Sequence, residues 1–208
     1  MSKKRQNKKT REPKQHRSIA TVDAILEATR QLLSTGDLTR LTTNKISSRA
    51  GVSIGSLYQY FPNKEKILVK LSESHFEKQS NAVAELISYR GDKNLSTIIF
   101  RVVDRILQNV FSNLPLLRNL ILYTPKKEYE RIHRHMIDQI TLTVESFLNS
   151  LDIIQDTKRS SLVVISTIDA ITTQLCLTSG GGLPRETWAI EIAGMLESFL
   201  KMKQSRKD

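Results

Sequence analysis

Hydrophobic positions recur every three to four residues over most of this chain, which is the period of helices with one buried face. Ile19, Val22, Ile25, Leu26, Thr29, Leu32 and Leu33 mark a first helix beginning near Ser18, and Gly36 supplies its stop. Residues 1–16 show no such period and are expected to be disordered. Two short helices follow. In the first, 43–50, Thr42 is the N-cap, Ile46 and Ala50 form the buried stripe, and Gly51 ends the helix at a turn that calls for positive φ. The second, 54–60, is capped by Ser53 and closed by Pro62, which forces Phe61 out of helical geometry. Asn63 then caps a long helix from 64 to about 89, buried through Ile67, Leu68, Leu71, Phe76, Ala82, Val83 and Leu86 and stopped at Gly91. At about 1.5 Å per residue it spans roughly 40 Å, enough to join two structural units.

The remaining pattern predicts helices over 95–111, 115–123, 125–151, 157–178 and 184–203. Thr124-Pro125 reads as an N-cap followed by proline at the first helical position, and Asp156 as a further N-cap. Gly180-Gly181-Gly182 separates the last two helices. There is no strand-like alternation and no internal repeat, so the fold class is all-α. Residues 204–208 should fray.

Composition narrows the function classes. With 39% hydrophobic and 25% charged residues among 208, the chain is ordinary globular material. It has no uninterrupted apolar run of roughly 18 residues, so no membrane span is expected. The basic N-terminus has no apolar stretch behind it, so no secretory signal is expected either. The single cysteine, Cys176, excludes an intrachain disulfide framework and fits a reducing cytoplasm. Net charge is +11, and residues 1–17 hold eight basic residues against Glu12 alone. A field concentrated at one end suits a polyanion such as nucleic acid; a merely solvated tail is the alternative.

The informative stretch lies between Leu41 and Lys64. Two short helices joined by a turn at Gly51-Val52 have helix-turn-helix arithmetic. Ser53, Gly55, Ser56, Tyr58, Gln59 and Tyr60, the outward residues of the second helix, are small or hydrogen-bonding. A helix entering a groove needs small residues for close approach and donors for phosphates and base edges. An ordinary helical hairpin in an all-α core is the competing reading.

Residues 41–65, with Thr before the first short helix, Ala-Gly-Val-Ser at the turn, Leu-Tyr-x-x-Phe and then Asn-Lys-Glu, resemble the signature of the TetR-type transcriptional regulators. The resemblance covers about residues 17–70. It implies an N-terminal three-helix DNA-binding domain over 17–63, with its motif at 41–60. A long helix would join this to a ligand-sensing and dimerisation domain over 64–203. It also implies site roles. Thr42 and Thr43 would bind backbone phosphate. Ser53, Gly55, Ser56 and Gln59 would face the major groove. Tyr58, Tyr60 and Lys64 would contact phosphate, Lys64 from a helix N-terminus that also favours an anion. Asn44 stands where a charged residue is frequent, and Ser47-Ser48 replaces a more usual apolar-Ala pair. The partner would be double-stranded DNA carrying a near-palindromic operator, and the basic tail would add phosphate contacts or enter the minor groove.

The last two helices are apolar on more than one side, as an intersubunit seam requires. Ile168, Leu175, Trp188, Ile192, Met195 and Phe199 are the residues expected to build a four-helix dimer bundle, Gly194 allowing close approach. Packing of both faces within one subunit is the alternative. Polar residues set in apolar stripes are the candidates for contact with an unknown small-molecule effector: Asp104, His133 and Asp169, with Tyr123 as a hydroxyl donor. Each has a plainer reading as a buried polar group satisfied by a neighbouring helix. No nucleophile–base set, paired carboxylates or metal-ligand spacing is present, so no catalytic residue, metal or cofactor is expected. Three function classes remain. The first is a cytoplasmic repressor released by an effector, the second a ligand-independent DNA-organising protein, and the third an all-α carrier or enzyme.

Overall fold

The computed structural model describes residues 12–35, 41–88, 94–152, 154–178 and 180–204, with side chains of the first helix from Ser18 onward. The described residues form nine helices: α1 Glu12–Ser34, α2 Thr43–Ala50, α3 Ile54–Tyr60, α4 Lys64–Ser88, α5 Leu95–Ser112, α6 Leu114–Tyr123, α7 Lys126–Leu151, α8 Thr157–Leu177 and α9 Arg185–Met202. Among them the one extended pairing is an isolated bridge between Ile154 and Gln204. Beside it Gln155 donates its N–H to the Lys203 carbonyl at 2.8 Å, pinning the end of α9 to the α7–α8 loop.

Short-range capping chemistry sets most boundaries. The Asn63 carboxamide accepts the Lys66 N–H at 2.9 Å, and Asn94 accepts from Ser96 and Thr97 at the start of α5. Asp156 accepts the Arg159 N–H at 3.2 Å. Gly180, Gly181 and Gly182 all take positive φ, as the α8–α9 turn demands.

Two boundaries correct the sequence expectation. Helix α1 begins at Glu12, inside the segment expected to be disordered. Pro13 falls in the first turn, where its missing N–H leaves no helical bond unmade. Residues 1–11, Gly36, Tyr89, Gly91 and 205–208 lie outside the described residues. Thr124 does not cap α7 with its side chain: Pro125 holds the N-cap position with no side-chain bond. The Thr124 hydroxyl is buried and hydrogen-bonds Ser72 of α4 at 3.1 Å. A buried hydroxyl needs a partner, and α4 supplies it.

Two apolar cores organise the helices. The first gathers Ile25, Leu33, Leu41, Ile46, Leu57 and Phe61 with Ile67, Leu68 and Leu71 from the start of α4. Leu116 and Leu120 of α6 complete it. The second runs through the body, where α5 packs on α9 and α4 and α8 pack on α7. Helix α6 serves both, since Leu117 belongs to the second core. The buried Asn119 amide also donates to the Leu33 carbonyl of α1 at 2.7 Å.

Helix α8 has the length and mean hydropathy, 1.5, of a membrane-crossing helix. Its apolar run is broken by Lys158, Arg159 and Asp169. In this fold α8 packs against α5, α6, α7 and α9, and its polar Ser160 and Ser161 are buried.

Candidate nucleic-acid interface and ligand cavity

The turn between α2 and α3 is built by main-chain bonds that only a left-handed residue permits. Gly51 sits at φ 67°, ψ 26°. Its N–H reaches the Ser48 carbonyl at 3.2 Å, and the Val52 N–H reaches Ser47 at 3.0 Å. This double closure is a Schellman motif. Ser53 then caps α3, accepting the Ser56 N–H at 3.0 Å. Ile46 and Leu57, fully buried, hold the two helices together. The far end of α3 closes at Phe61, with φ −131° and ψ 109°, the extended geometry that the following Pro62 requires.

That framework leaves the predicted DNA residues on the surface. Thr42, Ser53, Gly55, Tyr58, Gln59 and Tyr60 are exposed, and Thr43, Ser56 and Lys64 are partly so. Tyr58 keeps 49% of its surface free despite its large ring. Thr42 is both N-cap and candidate phosphate contact, accepting the Lys45 N–H at 3.3 Å. The Thr43 and Tyr58 hydroxyls are hydrogen-bonded at 3.1 Å, so two phosphate candidates that are fifteen positions apart form one unit. Arg49 ties α2 to α1 through the Gln31 carboxamide at 2.8 Å. Neither pairing was legible from spacing.

Behind this head lies a partly open cavity of about 70 Å³ among α4, α5, α6, α7 and α8. His133 and Asp169 both line it, with imidazole Nε2 and carboxylate Oδ1 2.8 Å apart. Tyr129 stacks on His133 at 5.6 Å between centroids, 11° from parallel. Phe76 stands edge-on to Tyr129 at 5.7 Å and to His133 at 5.6 Å. Burial, with a smaller contribution from Lys78, pushes His75 down to about 4, so it is neutral at physiological pH. Burial likewise raises the Tyr129 phenol and pushes the Cys176 thiol up to about 11. Sequence reasoning missed Tyr129, His75 and the threonines at 172 and 173. The i,i+4 spacing of Tyr129 and His133 was the available signal, because such pairs share a helix face.

The other two effector candidates stand apart. Asp104 pairs with Arg185 across α5 and α9, a charge partner close enough to occupy it. Tyr123 ends α6 with 48% of its surface exposed. Neither lines the cavity. A second void of about 50 Å³, lined by apolar residues of α5, α7, α8 and α9 together with Ile87, lies farther along the body.

The dimer candidates also divide. Ile168, Leu175 and Ile192 are only 6%, 2% and 2% exposed within one protomer. They fill the core of their own protomer. Trp188 and Phe199 are half-buried against the same core. Met195 is exposed, and so are Leu162, Val163 and Leu177 on α8 and Ile190, Gly194 and Met202 on α9. These residues leave α8 and α9 with apolar surface that faces out of the protomer.

A capped helix pair presenting small and hydrogen-bonding residues from a rigid core is the reading head of a helix-turn-helix DNA-binding protein. Residues 25–71 match the family model for bacterial regulatory proteins of the tetR family, and the chain shares its fold with solved structures of TetR-family regulators. It is 39% identical over 54 residues to the HTH-type transcriptional repressor KstR of Rhodococcus jostii (strain RHA1), a match spanning 26% of each protein. The chain thus matches about a quarter of that curated relative's length. In fold it is similar to a protein described as a TetR-family transcriptional regulator from Mesorhizobium loti MAFF303099, with TM-score 0.77 and 15% identity over 91% of this chain and 99% of that one. It is also similar to the fatty acid degradation regulator FadR of Bacillus halodurans, with TM-score 0.67 and 16% identity over 85% and 94%.

Proposed function

We propose that this protein is a cytoplasmic transcriptional repressor that binds a near-palindromic operator as a homodimer and leaves it when a small molecule enters the cavity. One observation carries this reading. Helix α6 supplies Leu116 and Leu120 to the core of the DNA-binding head, while Leu117, Leu120 and Ile121 line the cavity. An occupant that pushes α6 therefore pushes the floor of the reading head. Helix α4 gives a second route, running from Lys64 beside the DNA residues to Phe76 and Gln79 at the cavity.

In this reading the outward apolar surfaces of α8 and α9 form the dimer seam. The two α3 helices must then sit about 34–36 Å apart, or a multiple, to enter successive major grooves. A cavity of about 70 Å³ is under half the ~150 Å³ that accepts benzene. Any effector must therefore enlarge it, and the enlargement is the signal. To move the population from 99:1 to 1:99, the effector must prefer the released state by about 5.5 kcal/mol.

Selection of binding sites from random DNA should return a palindrome. Tyr58→Ala or Lys64→Ala should weaken binding to it with little change of preference, because phosphate contacts position rather than specify. Gln59→Ala should relax preference at one base pair by about 1–3 kcal/mol. Unchanged affinity in Tyr58→Ala would sink the interface. The excess of positive charge in residues 1–17 favours a second reading, a ligand-independent DNA-organising protein. Footprints covering long tracts rather than one or two palindromes would select it.

A further inference from the structure

The cavity has a one-sided chemistry. Among the described residues, Asp169 is its single lining carboxylate, no lysine or arginine lines it, and the groups there able to carry positive charge are two imidazoles. His75 is kept neutral by burial. His133 already faces Asp169, on its Oδ1. Among the described residues no hydrogen bond reaches the other carboxylate oxygen, Oδ2. The neighbouring walls include the rings of Phe76 and Tyr129, aromatic groups whose π faces attract positive charge. An anionic headgroup entering here would meet the Asp169 carboxylate, whose Oδ1 already engages His133, with no lysine or arginine among the described lining residues to offset the like-charge repulsion. A protonated amine would meet an acceptor and aromatic walls.

We propose that the effector is a small organic cation, an amine whose ammonium group docks on Asp169 beside the Phe76–Tyr129–His133 ring cluster. This rests on the reading of the cavity as the effector site. It sets the chain apart from its fold relative FadR of Bacillus subtilis, whose structure is a complex with stearoyl-CoA. Three features favour the amine over a neutral ligand of the same shape. The free carboxylate oxygen makes a charge-assisted bond, which is stronger than a neutral one. The rings add cation–π attraction. The low polarity of the surrounding walls strengthens both. Met136, unbranched and adaptable, also lines the cavity and can yield to a ring-sized occupant.

The test is calorimetric titration of the full chain with benzylammonium chloride, benzyl alcohol and sodium benzoate. Benzylammonium should bind at least about tenfold more tightly than the alcohol, as a charged hydrogen bond outweighs a neutral one, and benzoate should bind weakest. Asp169→Asn should bring the ammonium down to the level of the alcohol. Equal or tighter binding of the alcohol or benzoate overturns the proposal. So does failure of the ammonium to bind, or an unchanged ammonium affinity in Asp169→Asn. If that variant does not fold, the ranking of the three probes on the unsubstituted chain decides. The selected operator is titrated in parallel. An ammonium that binds through Asp169 yet leaves operator affinity unchanged would uphold the cation site and remove the induction reading, so the two failures are distinct.

Discussion

The reading head and the helical body are held in register by different kinds of contact. In the head, the groups that set each boundary lie within five residues of what they bond: Thr42 to Lys45, Ser47 to Val52, Ser53 to Ser56, Asn63 to Lys66. In the body, the polar contacts that orient the helices join residues far apart in sequence, such as His133 with Asp169, Asp104 with Arg185, Ser96 with Glu197 and Ser72 with Thr124. The boundaries of the head are specified locally, while Leu116 and Leu120 of α6 complete its core. A body held by long-range pairs can shift helix against helix, as the proposed sensing role requires. Helix α6 is where the two regimes meet.

That contrast breaks most severely at the proposed dimer seam. Leu162→Asp with Ile190→Asp, both on exposed positions, should leave each protomer folded and abolish the dimer in sedimentation. Operator affinity should fall by about 10²–10⁴-fold as the two half-sites lose their link. The paired control is Ile192→Asp, buried to 2%, which should unfold the body instead. A dimer that survives the double substitution would place the seam elsewhere.

Leu120→Ala removes a side chain that is 1% exposed and shared by head and cavity. It should cost about 2–5 kcal/mol in denaturant unfolding. If head and body are coupled through α6, both should lose stability together. A loss confined to one of them would contradict that coupling.

A pH titration sharpens the picture of the body. The folded-state value of His75, about 4, lies below its ordinary 6.5, so the unfolded chain binds more protons between those values. Stability should be complete above about pH 6.5 and fall as pH drops toward 4, by up to about 3 kcal/mol. Urea midpoints across that window should show the slope, and His75→Gln should flatten it.

The head should respond to smaller, local changes. Gly51→Ala places a Cβ in open space but at φ 67°, and left-handed geometry should cost about 1–2 kcal/mol. Ser53→Ala removes the α3 cap and should cost about 1 kcal/mol. Thermal unfolding followed with operator binding measures both. A cap variant that cost far more would mean that Ser53 also serves the body, against the local character of the head.

The amino-acid order alone was enough for the head and for the all-α class. Gly51, Pro62 and the capping serine and asparagine act on their immediate neighbours, so their consequences can be read without knowing the fold. Helices α2 and α3 carry the boundaries that periodicity predicts for the same reason. The partners of Asp104 and His133 were beyond that reach, because each depends on how helices distant in sequence are stacked. So was the division of α8 and α9 into inner and outer faces. An apolar helix looks alike from every side until its neighbours are known, and only packing showed that Ile168, Leu175 and Ile192 point into their own protomer while Leu162 and Ile190 point away.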